Sequence, residues 1–199
     1  MENISKICVF CGSKVGEKSE YESDAKKFGT LLGKKNIDLI YGGGRIGLMG
    51  IIADAVSQAG GKVTGVIPEF LMNLEIGNEQ VDELIITDSM HDRKKEMYQQ
   101  SNGFVSFPGG IGTLDETLEV ISWKQLRLHN KPIVLYNCGG YWQDLEVLIE
   151  KTISCGFAHQ SVRELFTIAN TLEEIFFALD HPSKVGDEVL TSHLQETQK

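Results

Sequence analysis

The stretch Pro108-Gly109-Gly110-Ile111-Gly112-Thr113-Leu114-Asp115-Glu116 decides how the rest of the chain is read. It follows an apolar run, Gly103-Phe104-Val105-Ser106-Phe107, with the character of a buried strand. It leads into a helix-period run, Leu114, Leu118, Ile121. A glycine-rich turn between strand and helix is where an α/β protein cradles a phosphate, because the first N–H groups of a helix point outward without partners. Two carboxylates, Asp115 and Glu116, stand directly behind this turn and would repel a phosphate. Ordinary anion binding does not account for them.

Outward from this stretch, apolar runs alternate with helical patterns along the whole chain. Ile7–Phe10, Ile37–Tyr41, Val63–Ile67, Glu83–Thr87, Phe104–Phe107, Pro132–Tyr136 and Phe166–Ile168 read as strands. Between them lie the stripes Tyr21/Ala25/Phe28/Leu32, Leu48/Ile52/Ala55/Ala59, a helix over about Ser89–Ser101, and Trp142/Leu145/Ile149/Ile153. Leu172, Ile175, Phe176 and Leu179 mark a last helix. The strands are continuous apolar runs rather than alternating ones, which requires burial on both faces. The fold expected is therefore α/β, a doubly wound parallel sheet in one domain over residues 1–181. Residues 69–81 read as an irregular flap and 182–199 as a flexible C-terminal tail. In such a sheet, ligands sit beyond the carboxyl ends of the strands. Gly12-Ser13, Gly42-Gly43-Gly44 and Pro108-Gly109-Gly110 all lie at such ends and can converge on one crevice.

The totals narrow the partners. The chain has 199 residues, is 41% hydrophobic and carries a net charge of −9, so a sizeable core is within reach and duplex DNA or an anionic membrane is a poor partner. There is no apolar stretch of membrane-spanning length and no signal-peptide core behind Met1, so a cytoplasmic protein is expected. Cys8 and Cys11 form a CxxC that belongs either to the first strand and its turn or to a redox-sensitive pair. The five histidines show no paired spacing, so no metal site is expected.

Two constellations carry chemistry. Gly109, Gly110 and Gly112 let the backbone approach an anion, and the Thr113 hydroxyl adds a donor; the competing reading is a tight turn without a ligand. The loop lacks a Walker A ending and the GxGxxG spacing. Thr113-Leu114-Asp115-Glu116 also matches a capping box, so Glu116 serves either the helix end or a developing cation. In Met90-His91-Asp92-Arg93-Lys94-Lys95-Glu96-Met97, helical spacing puts Met90, Arg93, Lys94, Met97 and Ser101 on one face. Arg93 on that face either meets an anionic ligand or pairs with Glu83 or Glu116. Gly42-Gly43-Gly44-Arg45-Ile46-Gly47 is either a second anion nest or a plain turn.

Together these motifs resemble the Lonely Guy family of cytokinin riboside 5′-monophosphate phosphoribohydrolases, whose members often carry the label possible lysine decarboxylase. The resemblance runs from about Ile7 to Ile168 and rests on several motifs. They are Phe10-Cys11-Gly12-Ser13, Tyr41-Gly42-Gly43-Gly44 with Gly47-Leu48-Met49-Gly50, Met90-His91-x-Arg93-Lys94-x-x-Met97, and PGGxGTxxE at 108–116. It implies a Rossmann-like homodimer that cleaves the N-glycosidic bond of an adenine nucleotide without a cofactor. It implies that Gly109, Gly110, Ile111, Gly112 and Thr113 hold the 5′-phosphate and that Arg93 and Glu116 are the catalytic pair. It further implies substrate contacts from Ser13, Gly43, Gly44, Glu83, Lys94, Asp115 and Ser122. Asp115 stands where Glu is common, Ile111 where Tyr is common and Ser122 where Thr is common, and the glycine usual before Glu83 is absent. A rival reading is a non-catalytic nucleotide or molybdenum-cofactor carrier, which would share the glycine loops. A decarboxylase would need a lysine set up for a pyridoxal Schiff base, which no motif here supplies.

Overall fold

The computed structural model describes residues 4–72, 77, 78, 80–186 and 189. Seven parallel strands form one sheet: β1 (Lys6–Phe10), β2 (Asp38–Tyr41), β3 (Val63–Pro68), β4 (Glu83–Thr87), β5 (Gly103–Ser106), β6 (Ile133–Tyr136) and β7 (Thr167–Ala169). Six α-helices connect and follow them: α1 (Ser19–Lys34), α2 (Gly47–Gln58), α3 (Met90–Gln100), α4 (Ile111–Gln125), α5 (Gln143–Ser154) and α6 (Leu172–Asp180). The strand order is β4-β3-β2-β1-β5-β6-β7. The chain winds outward from β1 to β4, then returns to place β5 against the other side of β1. This is the Rossmann-like doubly wound α/β sheet that the apolar runs predict.

Strand chemistry follows position. The inner strands β1, β2, β3, β5 and β6 are buried almost throughout because helices cover both faces. The edge strand β4 is exposed at Glu83 and Ile86, since it lacks a neighbour on one side. On one face Ile7, Val9, Leu39, Val105 and Val134 pack against α1, α2 and α6. On the other, Cys8, Phe10, Ile40, Phe104 and Leu135 pack against α3 and α4, with Trp142 and Leu165. Cys8 and Cys11 thus belong to opposite layers and both are free thiols, so they are elements of the packing and not a disulfide pair. Burial pushes the Cys8 thiol well above its ordinary value, which removes the reactive thiolate a redox pair needs.

The expected irregular segment 69–81 begins with a 3₁₀ turn, Glu69–Leu71, and returns to the sheet where the Asn78 N–H donates to Gly43 O at 2.9 Å. Residues 73–76 and 79 lie outside the described residues, as do 187, 188 and 190–199 of the expected tail.

Behind the sheet, His129 closes the turn between α4 and β6. Its Nε2 lies 2.9 Å from Val120 O, and its Nδ1 accepts the Lys131 N–H at 3.1 Å. That arrangement needs a neutral ring. Burial, against a raising hydrogen bond to Val120, pushes the ring down to about 4, and Lys124 and Lys131 add to the lowering. A depressed base binds fewer protons folded than unfolded, so stability is full above pH 6.5 and is lost as pH falls toward 4. We predict that His129→Gln flattens the stability–pH slope between about pH 6 and 4.5, removing about 1–3 kcal/mol of the decline. Denaturant midpoints measured across that range check it; an unchanged slope contradicts this account of His129.

Candidate active site

The switch in winding direction falls between β1 and β5, so the loops leaving these two strands diverge and open a crevice at their carboxyl ends. Gly12 N donates to Pro108 O at 3.0 Å and Phe107 N to Phe10 O at 2.8 Å, tying the two loops together at its floor. Leu48 N donates to Gly12 O at 3.0 Å, which brings the start of α2 to the same place. A cavity of about 230 Å³ results, lined by residues that include Ser13, Gly42, Met49, Arg93, Thr113 and Glu116. It adjoins a second cavity of about 380 Å³ between the loops and the tyrosines Tyr21 and Tyr141, with Ser13 and Gly110 bordering both.

Helix α4 starts at Ile111 with Gly110 as its N-cap, and no side chain caps it. Leu114 N is the donor that reaches Gly110 O, at 3.1 Å, so the amides of Ile111, Gly112 and Thr113 have no carbonyl within the helix. The capping-box reading is therefore corrected: the helix begins three residues earlier than that box requires, and Glu116 lies beyond the first turn. The glycines of the loop differ in what they permit. A Cβ on Gly109 would overlap the Thr113 side chain, so internal packing requires glycine there. A Cβ on Gly110 or Gly112 would meet nothing within 4 Å. At those two positions the protein itself imposes no steric demand, and the open space belongs to the crevice.

Arg93 enters from the first turn of α3, which Ser89 starts by accepting the Asp92 N–H at 3.1 Å. Arg93 is 6% exposed, and each nitrogen of its guanidinium has a partner. Its Nε donates to Val66 O at 3.0 Å, its Nη2 to Gly42 O at 3.2 Å, and its Nη1 lies 3.2 Å from Glu116 Oε1. Glu116 is 7% exposed, and both side chains line the cavity. Of the readings open for Arg93, pairing with Glu116 and facing the cavity are both realised, and pairing with Glu83 is not. Gly42 is glycine for this reason: a Cβ there would overlap Arg93 Nη2.

The structure does not bring all the expected residues together. Gly43 and Gly44 turn the chain and bond to the 77–78 segment, and the residue of this loop that reaches the cavity is Gly42. Gly43 has a φ of 77°, a left-handed conformation suited to glycine. Lys94 points to α4, where its ammonium lies 3.1 Å from both Asp115 Oδ2 and Glu119 Oε1. Burial opposes its charge, but the hydrogen bonds to Glu119 and Asp115 outweigh that and raise its pKa. Lys94 and Asp115 thus clasp α3 to α4 beside the cavity. Glu83 stands at the amino end of β4, level with Thr64 in β3 and on the wrong side of the sheet for the crevice. The helix-face and strand-end arguments do not extend to it, because its strand reaches the crevice only with its last residues. Ser122 sits on the exposed side of α4, two turns past Glu116, outside the cavity. Cys11 and Met49 line the cavity without having been anticipated, and Gly42 does so as part of the glycine turn expected at the crevice. The signal for Met49 and Gly42 was present in the YGGG…GLMG pairing, which brings a strand end and a helix start to one point.

These features define a Rossmann-like α/β protein with a glycine loop, open helix amides and a buried acid–guanidinium pair at one crevice. The family model described as possible lysine decarboxylase matches residues 49–179. Among curated proteins, the chain is 43% identical over 194 residues to cytokinin riboside 5′-monophosphate phosphoribohydrolase LOG3 of Arabidopsis thaliana, covering 98% of this chain and 90% of that protein. It is 46% identical over 177 residues to LOG1 of the same plant, covering 89% of this chain and 83% of that one. A probable member from Oryza sativa subsp. japonica, LOGL2, is 44% identical over 186 residues, covering 94% and 76%. The chain belongs to this family of Lonely Guy proteins. In fold it is also similar to the molybdenum cofactor carrier protein of Chlamydomonas reinhardtii, with a TM-score of 0.67 at 22% identity over 89% of this chain and 97% of that one.

The buried pair yields a stability test. Removing one member leaves an uncompensated buried charge, which costs about 3–5 kcal/mol. Arg93→Ala and Glu116→Ala should each destabilise on that scale, and the double variant by at least about 1 kcal/mol less than their sum. Denaturant unfolding of the four proteins measures the coupling; additive losses would show that the ion pair contributes nothing specific.

Proposed function

We propose that the chain hydrolyses the N-glycosidic bond of an adenine nucleoside 5′-monophosphate, releasing the free base and ribose 5-phosphate. One observation carries this reading. Free amides at the start of α4, beside glycines with open space around them, lie next to a buried carboxylate held by a guanidinium. A phosphate at Gly109–Thr113 satisfies the amides and anchors the sugar. The carboxylate of Glu116 then faces C1′ and not the phosphate, which resolves the problem of acids behind an anion loop.

In the reaction the C1′–N9 bond breaks with its electron pair going to the base, and positive charge spreads over C1′ and the ring oxygen. Glu116 stabilises that charge and orients the water whose oxygen bonds to C1′, an effect worth about 10²–10⁴-fold for a positioned base. One proton of that water passes to Glu116 and from there to solvent, the other stays in the new C1′ hydroxyl, and the departing base takes up one proton from solvent. Arg93, pinned by Val66 and Gly42 carbonyls, fixes the carboxylate and binds the substrate beside it. Lys94 and Asp115 serve by holding α3 against α4, and Ser13 borders the cavity from the β1 loop. No metal or cofactor is required by this chemistry. The names of the relatives favour an N6-modified adenine nucleotide, and plain AMP is the comparison substrate.

The active form we propose is a homodimer formed through α4. Ile111, Leu118 and Leu126 follow one exposed stripe of that helix with Ser122 between them, and Ile111 is 81% exposed at the lip of the cavity. A second copy on this stripe covers apolar surface and gives Ser122 a place near a site. A reducing, cytosolic setting suits the four free thiols, and among the described residues no helix is long and apolar enough to cross a membrane.

Glu116→Gln should retain the fold and bind AMP but release base at least about 10²-fold more slowly. Arg93→Ala should lose far more activity than Lys95→Ala, an exposed residue on the opposite face of α3. Chromatography for free base from AMP and from isopentenyl-AMP measures both. Release from neither substrate by the wild type would favour a carrier. Light scattering should give a dimer that Leu118→Glu converts to monomer; a wild-type monomer refutes the α4 contact.

A further inference from the structure

At the far end of α4, about 20 Å from the glycine loop by the rise of a helix of this length, lies a third cavity. It has a volume of about 540 Å³ and sits between the last turn of α4 and the segment that follows α6. Lys124, Arg127, His181 and Lys184 line it, with Asp180 as the one carboxylate among the described lining residues. The chain as a whole has 28 acidic and 19 basic side chains, so this is a local reversal of its charge.

The informative residue is Lys124. It is 2% exposed, yet no hydrogen bond or ion pair reaches its ammonium among the described residues. Lysines this buried are rare unless paired, because burial removes much of the ammonium's water. Two observations show that the cost is felt. Burial lowers the Lys124 amine to about 8, and the charges of Lys124 and Lys131 help to depress the ring of His129. Part of the charge is met by the carbonyl end of the α4 dipole, which falls off within the last turn. Arg127 is already held there, donating to Gly186 O at 2.7 Å, so the guanidinium is fixed at the rim.

We propose that this cavity is a second anion site, distinct from the catalytic crevice, and that it takes a small polyphosphate-bearing molecule of the pyrophosphate class. A compact ligand with two or more negative charges pairs with Lys124 at the base while Arg127 and Lys184 reach it from the rim. The volume lies within the range of small-molecule sites and exceeds what a single inorganic ion fills. The site stands on Lys124 and the cavity and does not depend on the reaction proposed for the crevice.

The test is calorimetric titration of the full chain with pyrophosphate at fixed ionic strength, using wild type, Lys124→Met, Lys184→Ala and Gly110→Asp, which puts a carboxylate at the open N-cap of α4. The expected result is sub-millimolar binding by wild type, at least 10-fold weaker in Lys124→Met, several-fold weaker in Lys184→Ala and unchanged in Gly110→Asp. Lys184 is exposed, so its substitution tests the cavity without risk to the fold. Met at position 124 keeps the length of the side chain and removes the buried charge, so its thermal midpoint without ligand should equal or exceed that of wild type. Absence of binding overturns the proposal. Binding lost in Gly110→Asp and retained in Lys124→Met also overturns it, by placing the anion in the catalytic crevice.

Discussion

The contact between Arg93 and Glu116 holds the centre of this molecule together, and its cost explains the surroundings. Two buried charges are stable only when their remaining hydrogen-bonding capacity is met. The guanidinium meets it by donating to the carbonyls of Gly42 and Val66, where β2 and β3 end. One side chain from α3 therefore gathers two strand ends and α4. This constrains Gly42 to have no side chain, and the Ser89 cap starts α3 one turn before the arginine. The Lys94 pairs with Asp115 and Glu119 repeat the α3–α4 link at the surface, where solvent weakens them.

The topology decides what that pair can be used for. Because β5 returns beside β1, the two loops that leave them part company and the crevice between them stays open. The N-terminus of α4 faces it with unpartnered amides, and the buried carboxylate follows one turn further along the same helix. A negative ligand group and a developing positive centre can thus be served by a single helix, provided they are about one turn apart. The carrier proteins of similar fold share the fold, which is all that a likeness at this level of identity establishes.

The order of strands and helices, the glycine loop, and the buried face of α3 were legible in the sequence. Each depends on local rules: continuous apolar runs for strands covered on both faces, and helical spacing for Arg93, Met97 and Ser101, all of which are buried. The roles of Glu83, Asp115 and the CxxC were not legible in that way. Glu83 is local to a strand whose amino end faces away from the crevice. Asp115 finds Lys94 across a gap of 21 residues in sequence. Cys8 and Cys11 are three apart in a strand region, which sends them to opposite layers.

The sequence by itself determined the alternation of elements, the parallel sheet and the glycine turn into α4, because periodicity and glycine placement act over a few residues. Only the tertiary structure decided that Glu116 pairs with Arg93 instead of capping its own helix, since that choice depends on where α3 lies against α4. It likewise decided that Lys124 is buried with no partner among the described residues. Charge and burial are set by distant elements meeting, and no spacing along the chain records which ones meet.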